Sequence, residues 1–238
     1  RRLWHYYLAR YGAYAVTFLI TQEYNAKIGD MESRVPKLLE LGRFIHRVDP
    51  YGRAISVHPW VIPRDHRQAW SESWHDFIML QGGHRQYVNP RIYHEIYFAE
   101  PVKPILESEA NYEAFRNDRF HADADCIRRT AYTAIQCGSF GFTYGAQGLY
   151  AGVLSKELPG PTSLWGPVLT WAEALELPGG AQMQHLRNCD ESVAWWKLEP
   201  RPELVRTEPK LSERQQTLVK SDGDTVFLIY FLQGTDPR

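Results

Sequence analysis

The fold is decided by the stretch Lys103-Pro104-Ile105-Leu106-Glu107-Ser108-Glu109, an apolar run that ends in carboxylates. The proline near its start disfavours a helix and favours an extended chain. A second run of the same form, Ala15-Val16-Thr17-Phe18-Leu19-Ile20-Thr21-Gln22-Glu23, also ends in a glutamate. Barrel enzymes present reacting groups at the carboxyl ends of buried parallel strands. The two runs therefore predict a pair of carboxylates, Glu23 and Glu109, across one cleft.

Strands and helices are predicted to alternate along most of the chain, which indicates an α/β fold with a parallel sheet. An eight-stranded barrel would need three more strand–helix units than the sequence contains. Either the chain is the C-terminal part of a longer barrel protein, or the sheet is open. The predicted strands cover residues 14–21, 54–59, 76–81, 103–108 and 140–144, and the helices between them cover 3–11, 31–47, 89–98 and 123–137.

The C-terminal part of the chain reads differently. Helical periodicity returns at residues 171–177 and 181–196, and residues 199–212, rich in proline and charge, are predicted to be a linker. The β-prone run 225–232 would then form a hairpin with residues 217–220 in a new structural unit. We therefore divide the chain into a barrel-like domain, 1–200, and a second segment, 201–238, that holds a linker and the first strands of a β domain.

Composition excludes several classes of partner. The net charge is −1, from 27 basic and 28 acidic side chains, so no basic excess favours nucleic acid or an anionic membrane. No apolar run approaches the ~18 residues of a membrane span. The 3 cysteines are too few and too scattered for a disulfide scaffold or a zinc site, and we expect free thiols. Aromatic residues make up 13% of the chain, which suits a carbohydrate site as well as a core.

Polar residues end every predicted strand, and this makes the carboxyl edge of the sheet the candidate functional face. Side chains two apart on a strand point to the same side, so Glu107 and Glu109 face the same way, with Glu107 one layer deeper. A fully buried Glu107 would need an arginine or hydrogen-bond partner, whereas Glu109 is the better candidate for a reacting group. The remaining candidates at strand ends, expected to bind substrate, are His58, Gln81, His84 and Tyr144. His58 and His84 would bind sugar hydroxyls or tune the acid, and Tyr144 would hydrogen-bond the nucleophile.

Two carboxylates across a cleft suit glycoside hydrolysis, in which one protonates the leaving oxygen and the other attacks the anomeric carbon or activates water. A separation of ~5–5.5 Å implies retention of configuration, and ~6.5–9.5 Å implies inversion. We expect no metal and no other cofactor, because no closely spaced histidine pair supports a metal site. A phosphate-binding glycine loop and a serine nucleophile elbow are also missing from the sequence.

Six short runs carry a family resemblance when they are taken together. They are Ala9-Arg10-Tyr11-Gly12-Ala13-Tyr14, Gln22-Glu23-Tyr24-Asn25, Asp49-Pro50-Tyr51-Gly52, Ser56-Val57-His58-Pro59, the opening stretch with Tyr112-Glu113, and Gly141-Phe142-Thr143-Tyr144-Gly145. As a set, over about residues 1–200, they resemble the apiosidase-like family of bacterial glycoside hydrolases. That family resembles clan A glycosidases, which have a (β/α)8 TIM barrel. In the apiosidase-like family the barrel is often followed by a β-sandwich once labelled collagen-binding.

The resemblance implies that the chain begins near the helix before the fourth barrel strand. It would then hold about strands four to eight, followed by the start of a small β-sandwich domain. By the clan pattern Glu23, at the end of strand four, is the acid/base and Glu109, at the end of strand seven, is the nucleophile of a retaining enzyme. Tyr144 and Trp165 would line the sugar site.

The function expected on this basis is cleavage of glycosidic bonds in a plant or microbial polysaccharide, with an oligo- or polysaccharide as partner. The family also implies a secreted, periplasmic or cell-surface location. The rival hypothesis is a carbohydrate-binding or cell-surface interaction protein that keeps the barrel without turnover. The carboxylate pair separates the two hypotheses, because an enzyme needs both glutamates and a binding protein needs neither.

Overall fold

The structure is a computed structural model that describes residues 1–26, 31–60, 67–84, 88–117, 119–157, 165–206 and 216–232, with only the backbone for residues 31–33. None of the helices in these ranges is long and apolar enough to cross a membrane. The predicted cap of the second helix, Asp30, lies outside the described residues. The helices, in chain order, are α1 (Arg2–Tyr11), α2 (Met31–Val48), α3 (Pro90–Tyr97), α4 (Ala124–Gln136), α5 (Trp171–Leu175) and α6 (Pro178–Glu191).

Local sequence explains where the central helices begin. The Asn89 side chain accepts the N–H of Arg91 at 2.9 Å, and Pro90 occupies the first position of α3. The Asp123 carboxylate accepts the N–H of Cys126 at 2.9 Å at the start of α4. Both helices agree with the predicted segments 89–98 and 123–137.

The strands are short, between two and five residues each. A strand is found at each of the five predicted positions, so the predicted α/β alternation is confirmed. In chain order the strands are β1 (Phe18–Leu19), β2 (Ile55–Ser56), β3 (Ile78–Leu80), β4 (Ile105–Glu107), β5 (Tyr112–Glu113), β6 (Ser139–Phe142), β7 (Gly145–Ala146), β8 (Glu199–Pro200), β9 (Thr217–Ser221) and β10 (Phe227–Phe231).

The central strands are parallel and follow one another in space as they do in sequence. β1 pairs with β2, β3 pairs with β4, and β4 pairs with β6. β2 meets β3 where the Asp76 N–H donates to the Ile55 carbonyl at 2.9 Å. The strands form the groups β1-β2 and β3-β4-β6, which meet at this hydrogen bond, and within each group the carboxyl ends lie at one edge. The short parallel pair β5–β7 continues beyond that edge.

The C-terminal strands form a three-stranded antiparallel sheet in the order β10-β9-β8, which confirms the predicted hairpin. This sheet packs on the outside of the parallel strands. Leu218 and Leu232 share a hydrophobic cluster with Ile78 and Ile105, and Tyr230 stacks on Tyr132 of α4 at 4.8 Å. The second segment therefore shares its core with the first.

Two predicted boundaries are wrong. The helix expected over 181–196 is α6, which begins at Pro178 because Pro178 fits the first turn and the Glu113 carboxylate accepts the Gly179 N–H. The predicted linker 199–212 contains β8, which pairs with β9 at Pro200 and Lys220. Residues 207–215 of that linker lie outside the described residues. The three cysteines, Cys126, Cys137 and Cys189, are free as predicted.

The turn between α4 and β6 depends on Gly138, which has φ +103 and whose Cβ, if present, would collide with the Tyr97 ring. Gly52 also has a positive φ of +60 but no atom lies within 4 Å of its Cβ position. We expect Gly52→Ala to cost about 1–2 kcal/mol from the backbone alone. Gly138→Ala should cost about 3 kcal/mol or more, because crowding adds to the backbone strain.

Urea denaturation followed by circular dichroism compares the two variants. Equal losses of unfolding free energy in Gly138→Ala and Gly52→Ala would contradict the role of the Tyr97 contact.

Candidate active site

Side chains from the carboxyl ends of the parallel strands meet around Glu109. The N–H groups of Ser108 and Glu109 both donate to the Leu80 carbonyl, at 2.9 and 3.2 Å, so the chain beyond β4 stays attached to the end of β3. The Ser108 hydroxyl donates to the same carbonyl at 2.7 Å and lies 3.3 Å from Nδ1 of His58. Residues after β2, β3 and β4 are thereby held close together.

Glu109 is surrounded by hydrogen-bond donors. His58 Nε2 lies 3.0 Å from its Oε2, and His84 Nε2 lies 3.4 Å from its Oε1. The Gln81 amide and the Tyr112 hydroxyl also bond to this carboxylate. Burial on its own raises the pKa of Glu109, but the hydrogen bonds from these side chains outweigh burial and hold the pKa well below its usual range. Glu109 is therefore an anion at neutral pH.

Gln81 connects the two predicted catalytic glutamates. Its Nε2 donates to Glu23 Oε1 at 3.2 Å, and the same side chain bonds to Glu109. The loop that carries Glu23 is attached to the end of β2, because the Tyr24 N–H donates to the His58 carbonyl at 3.2 Å. Glu23 has a φ of +43, a left-handed conformation that costs a non-glycine residue about 1–2 kcal/mol. The structure thus places Glu23 and Glu109 close enough together for both to accept hydrogen bonds from the Gln81 amide.

A row of rings leads from Glu109 to the surface. His84 stacks on Phe115 at 4.7 Å, and Phe115 stacks on Trp165 at 5.5 Å. Trp165 is 51% exposed, so it presents ring surface to solvent at the outer end of the row. Aromatic faces of this kind pack against the apolar faces of sugar rings. The predicted contact of His84 and Trp165 with substrate stays a prediction.

The tyrosine beside Glu109 is not the predicted one. We expected Tyr144 to hydrogen-bond the nucleophile, but its hydroxyl donates to Glu113 Oε2 at 2.6 Å. A hydroxyl has a single hydrogen, so this part of the prediction is wrong. Tyr112 bonds to Glu109 instead. Its position three residues after Glu109, in the quoted family motif, was the signal available in the sequence.

Glu107 is fully buried and has the hydrogen-bond partners that a buried carboxylate needs, as predicted. Its Oε2 accepts the Tyr93 hydroxyl, and its Oε1 accepts the N–H groups of Gly82 and Glu109 at 3.0 and 3.2 Å. Burial raises the pKa of Glu107 to about 7, and these hydrogen bonds offset the burial only in part. The charge on Glu109 is a smaller contribution to this raised pKa.

The groups around Glu109 are suited to stabilising the anionic carboxylate of Glu109 and not to binding a metal cation. Ring and amide N–H groups and a hydroxyl point at the carboxylate, whereas a hard cation requires several oxygen ligands. Within the described ranges, no group of three or more His, Cys, Asp or Glu side chains is arranged to hold a metal ion.

A cleft of about 520 Å³ lies apart from the carboxylate pair, along β6 and α6. Phe140, Met183 and Tyr144 line it, and neither Glu23 nor Glu109 does. We therefore locate the candidate active site by its chemistry, at the carboxyl edge of the strands, and not by the size of this cleft.

Parallel strands whose carboxyl ends carry a glutamate pair define a protein with the fold of barrel glycoside hydrolases. Two solved structures support this class. A glycoside hydrolase family 5 protein from Bacteroides vulgatus matches with a TM-score of 0.70 and 24% identity, over 87% of this chain and 47% of that one. A structure described as a glycoside hydrolase matches with a TM-score of 0.66 and 22% identity, over 81% and 46%.

The chain belongs to the apiosidase-like family. Residues 1–197 match the family model described as the apiosidase-like catalytic domain, which confirms the resemblance seen in the sequence. A comparison with curated proteins found no match. The chain spans about half the length of the solved structures it matches, so the activity of the whole protein is treated as a proposal.

The raised pKa of Glu107 predicts a specific pH dependence of stability. The unfolded carboxyl loses its proton near pH 4.5 and the folded one near pH 7, so between these values the folded state binds more protons. The contribution of Glu107 to the free energy of unfolding therefore falls as pH rises through this window, by about 3 kcal/mol at most. Glu107→Gln, which does not titrate, should remove that fall.

Urea denaturation of the natural protein and of Glu107→Gln from pH 4.5 to 8 measures the difference. Tyr93→Phe removes a hydrogen bond that lowers the pKa of Glu107, so it should move the fall to higher pH. Parallel stability curves for the natural protein and Glu107→Gln would show that Glu107 has an ordinary pKa.

Proposed function

We propose that the chain is the catalytic part of a glycosidase in which Glu109 is the nucleophile and Glu23 is the acid/base. The observation that carries the proposal is the Glu109 carboxylate, held as an anion by four side-chain donors and sharing Gln81 with Glu23. A nucleophilic carboxylate must be ionised before it can attack. A second carboxyl close to it is what glycosidic bond cleavage requires.

The bridge through Gln81 favours a retaining mechanism. A carboxylate can accept a hydrogen bond from the Gln81 side chain only through its amide nitrogen, so the contacts to Glu23 and to Glu109 both start from Nε2. Two such contacts keep the nearest oxygens of Glu23 and Glu109 within about 7 Å of each other. This limit is compatible with the ~5–5.5 Å between the carboxyl groups of retaining enzymes, which is the separation we propose here.

The reaction then proceeds in two displacements. A Glu109 oxygen bonds to the anomeric carbon while the glycosidic bond breaks, and Glu23 gives its proton to the leaving oxygen. Glu23 next takes a proton from water, whose oxygen attacks the anomeric carbon and releases the Glu109 carboxylate. The donors from His58, His84 and Tyr112 stabilise Glu109 whenever it carries charge, and so assist its departure in the second step.

The substrate we propose is an oligo- or polysaccharide of plant or microbial origin. The exposed Trp165 ring and the stack that joins it to His84 support a sugar-binding surface beside Glu109. A secreted, periplasmic or cell-surface location is proposed with it, since such polymers are met outside the cytoplasm. A carbohydrate-binding protein without turnover would not need Glu109 kept as an anion beside a second carboxyl.

Replacing each glutamate separately tests the assignment. In the full-length protein, Glu109→Gln should lower turnover of every substrate by at least about 10³-fold, because no nucleophile remains. Glu23→Gln should lower turnover of natural glycosides by about 10²–10⁴-fold, because the leaving oxygen receives no proton. Aryl glycosides with an acidic phenol as leaving group need no acid for the first step, so Glu23→Gln should still form the glycosyl-enzyme from them.

A panel of plant and microbial glycans identifies a substrate, and product release is then followed for the natural protein and both variants. Burst release of the phenol by Glu23→Gln, and its absence in Glu109→Gln, is the expected pattern. Full activity in both variants would refute the two-carboxylate mechanism.

The anomeric configuration of the first product tests retention. We expect the product to have the configuration of the substrate, as measured by proton NMR within the first minutes of reaction. An inverted product would show that Glu109 activates water and does not attack the sugar.

A further inference from the structure

The carboxylate of Glu107 lies in contact with backbone on both sides of the candidate site. Its Oε1 accepts the Gly82 N–H at 3.0 Å on the β3 side and the Glu109 N–H at 3.2 Å on the β4 side. Its Oε2 accepts the hydroxyl of Tyr93, which is fully buried in α3. One side chain thus connects two strand ends and a helix, and none of its atoms is exposed.

The packing around Gly82 shows how close this contact is. A Cβ at position 82 would lie 2.6 Å from the Tyr93 hydroxyl oxygen and 2.8 Å from Glu107 Oε2. Only a residue without a side chain fits there. The backbone at 82 is therefore held directly against the buried carboxylate and the hydroxyl that bonds to it.

Gly82 stands between two residues that bind Glu109. Gln81 precedes it and bonds to Glu109 and Glu23, and His84 follows two residues later, 3.4 Å from Glu109 Oε1. The segment that carries these donors and the backbone of Glu109, which accepts from them, are therefore both bonded to the same Glu107 oxygen. Together with the Leu80 carbonyl, which also accepts the Glu109 N–H, this carboxylate sets the relative position of donor and acceptor.

We propose that Glu107 is a positioning residue of the glycosidase reaction, which sets the orientation of Glu109 by joining its N–H to the Gly82 N–H through one oxygen. The inference rests on the proposed role of Glu109 as nucleophile. Glu107 touches no substrate. Attack on an anomeric carbon requires a carboxylate oxygen aligned with the breaking bond, and a misplacement of about 1 Å costs about 10²-fold in rate.

Three variants of the full-length protein separate positioning from simple support of the fold. Glu107→Leu removes the Oε1 acceptor that the Gly82 and Glu109 N–H groups share, whereas Glu107→Gln keeps an oxygen that accepts both. Ile105→Val is the matched control, because it removes one buried methyl group from the same face of β4 and changes no hydrogen bond of the site. The readouts are kcat and KM on an aryl glycoside, together with the melting temperature.

We expect Glu107→Leu to lower kcat about 10²-fold with KM changed less than threefold, and Glu107→Gln to recover kcat to within about tenfold of the natural protein. Ile105→Val should keep both constants. A folded Glu107→Leu protein with natural kcat, or one in which only KM rises, would overturn the inference. So would a Glu107→Gln variant as slow as Glu107→Leu.

A further variant, Tyr93→Phe, tests the inference if Glu107→Leu does not fold. Tyr93→Phe removes one donor from Glu107 and keeps the ring in the core, and it should lower kcat about three- to tenfold. Natural kcat in Tyr93→Phe and in Glu107→Gln together would refute positioning. Glu109→Gln is measured alongside. If Glu109→Gln is inactive while Glu107→Leu and Tyr93→Phe keep natural activity, only the positioning role of Glu107 is refuted. If Glu109→Gln is active, the proposed function itself is refuted.

Discussion

A carboxylate that stays charged while only 14% exposed needs hydrogen-bond donors close to it, and Glu109 receives them from separate parts of the chain. His58 follows β2, Gln81 and His84 follow β3, and Tyr112 belongs to β5. His58 and the pair Gln81 and His84 are distant from Glu109 in sequence, whereas Tyr112 follows it by three residues, and they meet because parallel strands end at one edge. The site is consequently a property of the fold, and each of these strands matters for where it places one donor.

Glu107 and Glu109 show how strongly position decides the chemistry of one residue type. They are two residues apart, with Glu107 at the end of β4 and Glu109 just beyond it. Burial raises the pKa of Glu107 to about 7, while four side-chain donors keep the pKa of Glu109 well below its usual range. A pair of carboxyl groups with separated pKa values is a common sign of divided roles in an active site. Here one carboxyl is suited to hold backbone and the other to react.

Sequence patterns predicted the parts of the fold that depend on local chemistry. The proline before Ile105 and the apolar run after it locate β4, and Asp123 and Gly138 mark the two ends of α4. The start of α6 was missed because Leu177-Pro178-Gly179-Gly180 reads as a turn. Pro178 fits the first turn of the helix, but the distant carboxylate of Glu113, which accepts the Gly179 N–H, could not be seen in the sequence.

The same limit applies to the candidate site. Strand-end positions predicted that Glu109, His58, Gln81 and His84 face one edge, because direction along a strand follows from parity and polarity. Which tyrosine reaches Glu109 could not be predicted in this way. Tyr112 and Tyr144 both follow strands, and their partners depend on how β5 and β7 pair, a contact between residues more than thirty positions apart.

The Gln81 bridge makes the site dependent on the identity of a single atom. Both carboxylates accept from the same amide nitrogen, so the amide can adopt only one of its two orientations there. If slow hydrolysis of the amide exchanged that nitrogen for oxygen, the donor would become a third anion between the other two. The shape of the pocket would be unchanged, and the ageing protein would lose its function without losing its fold.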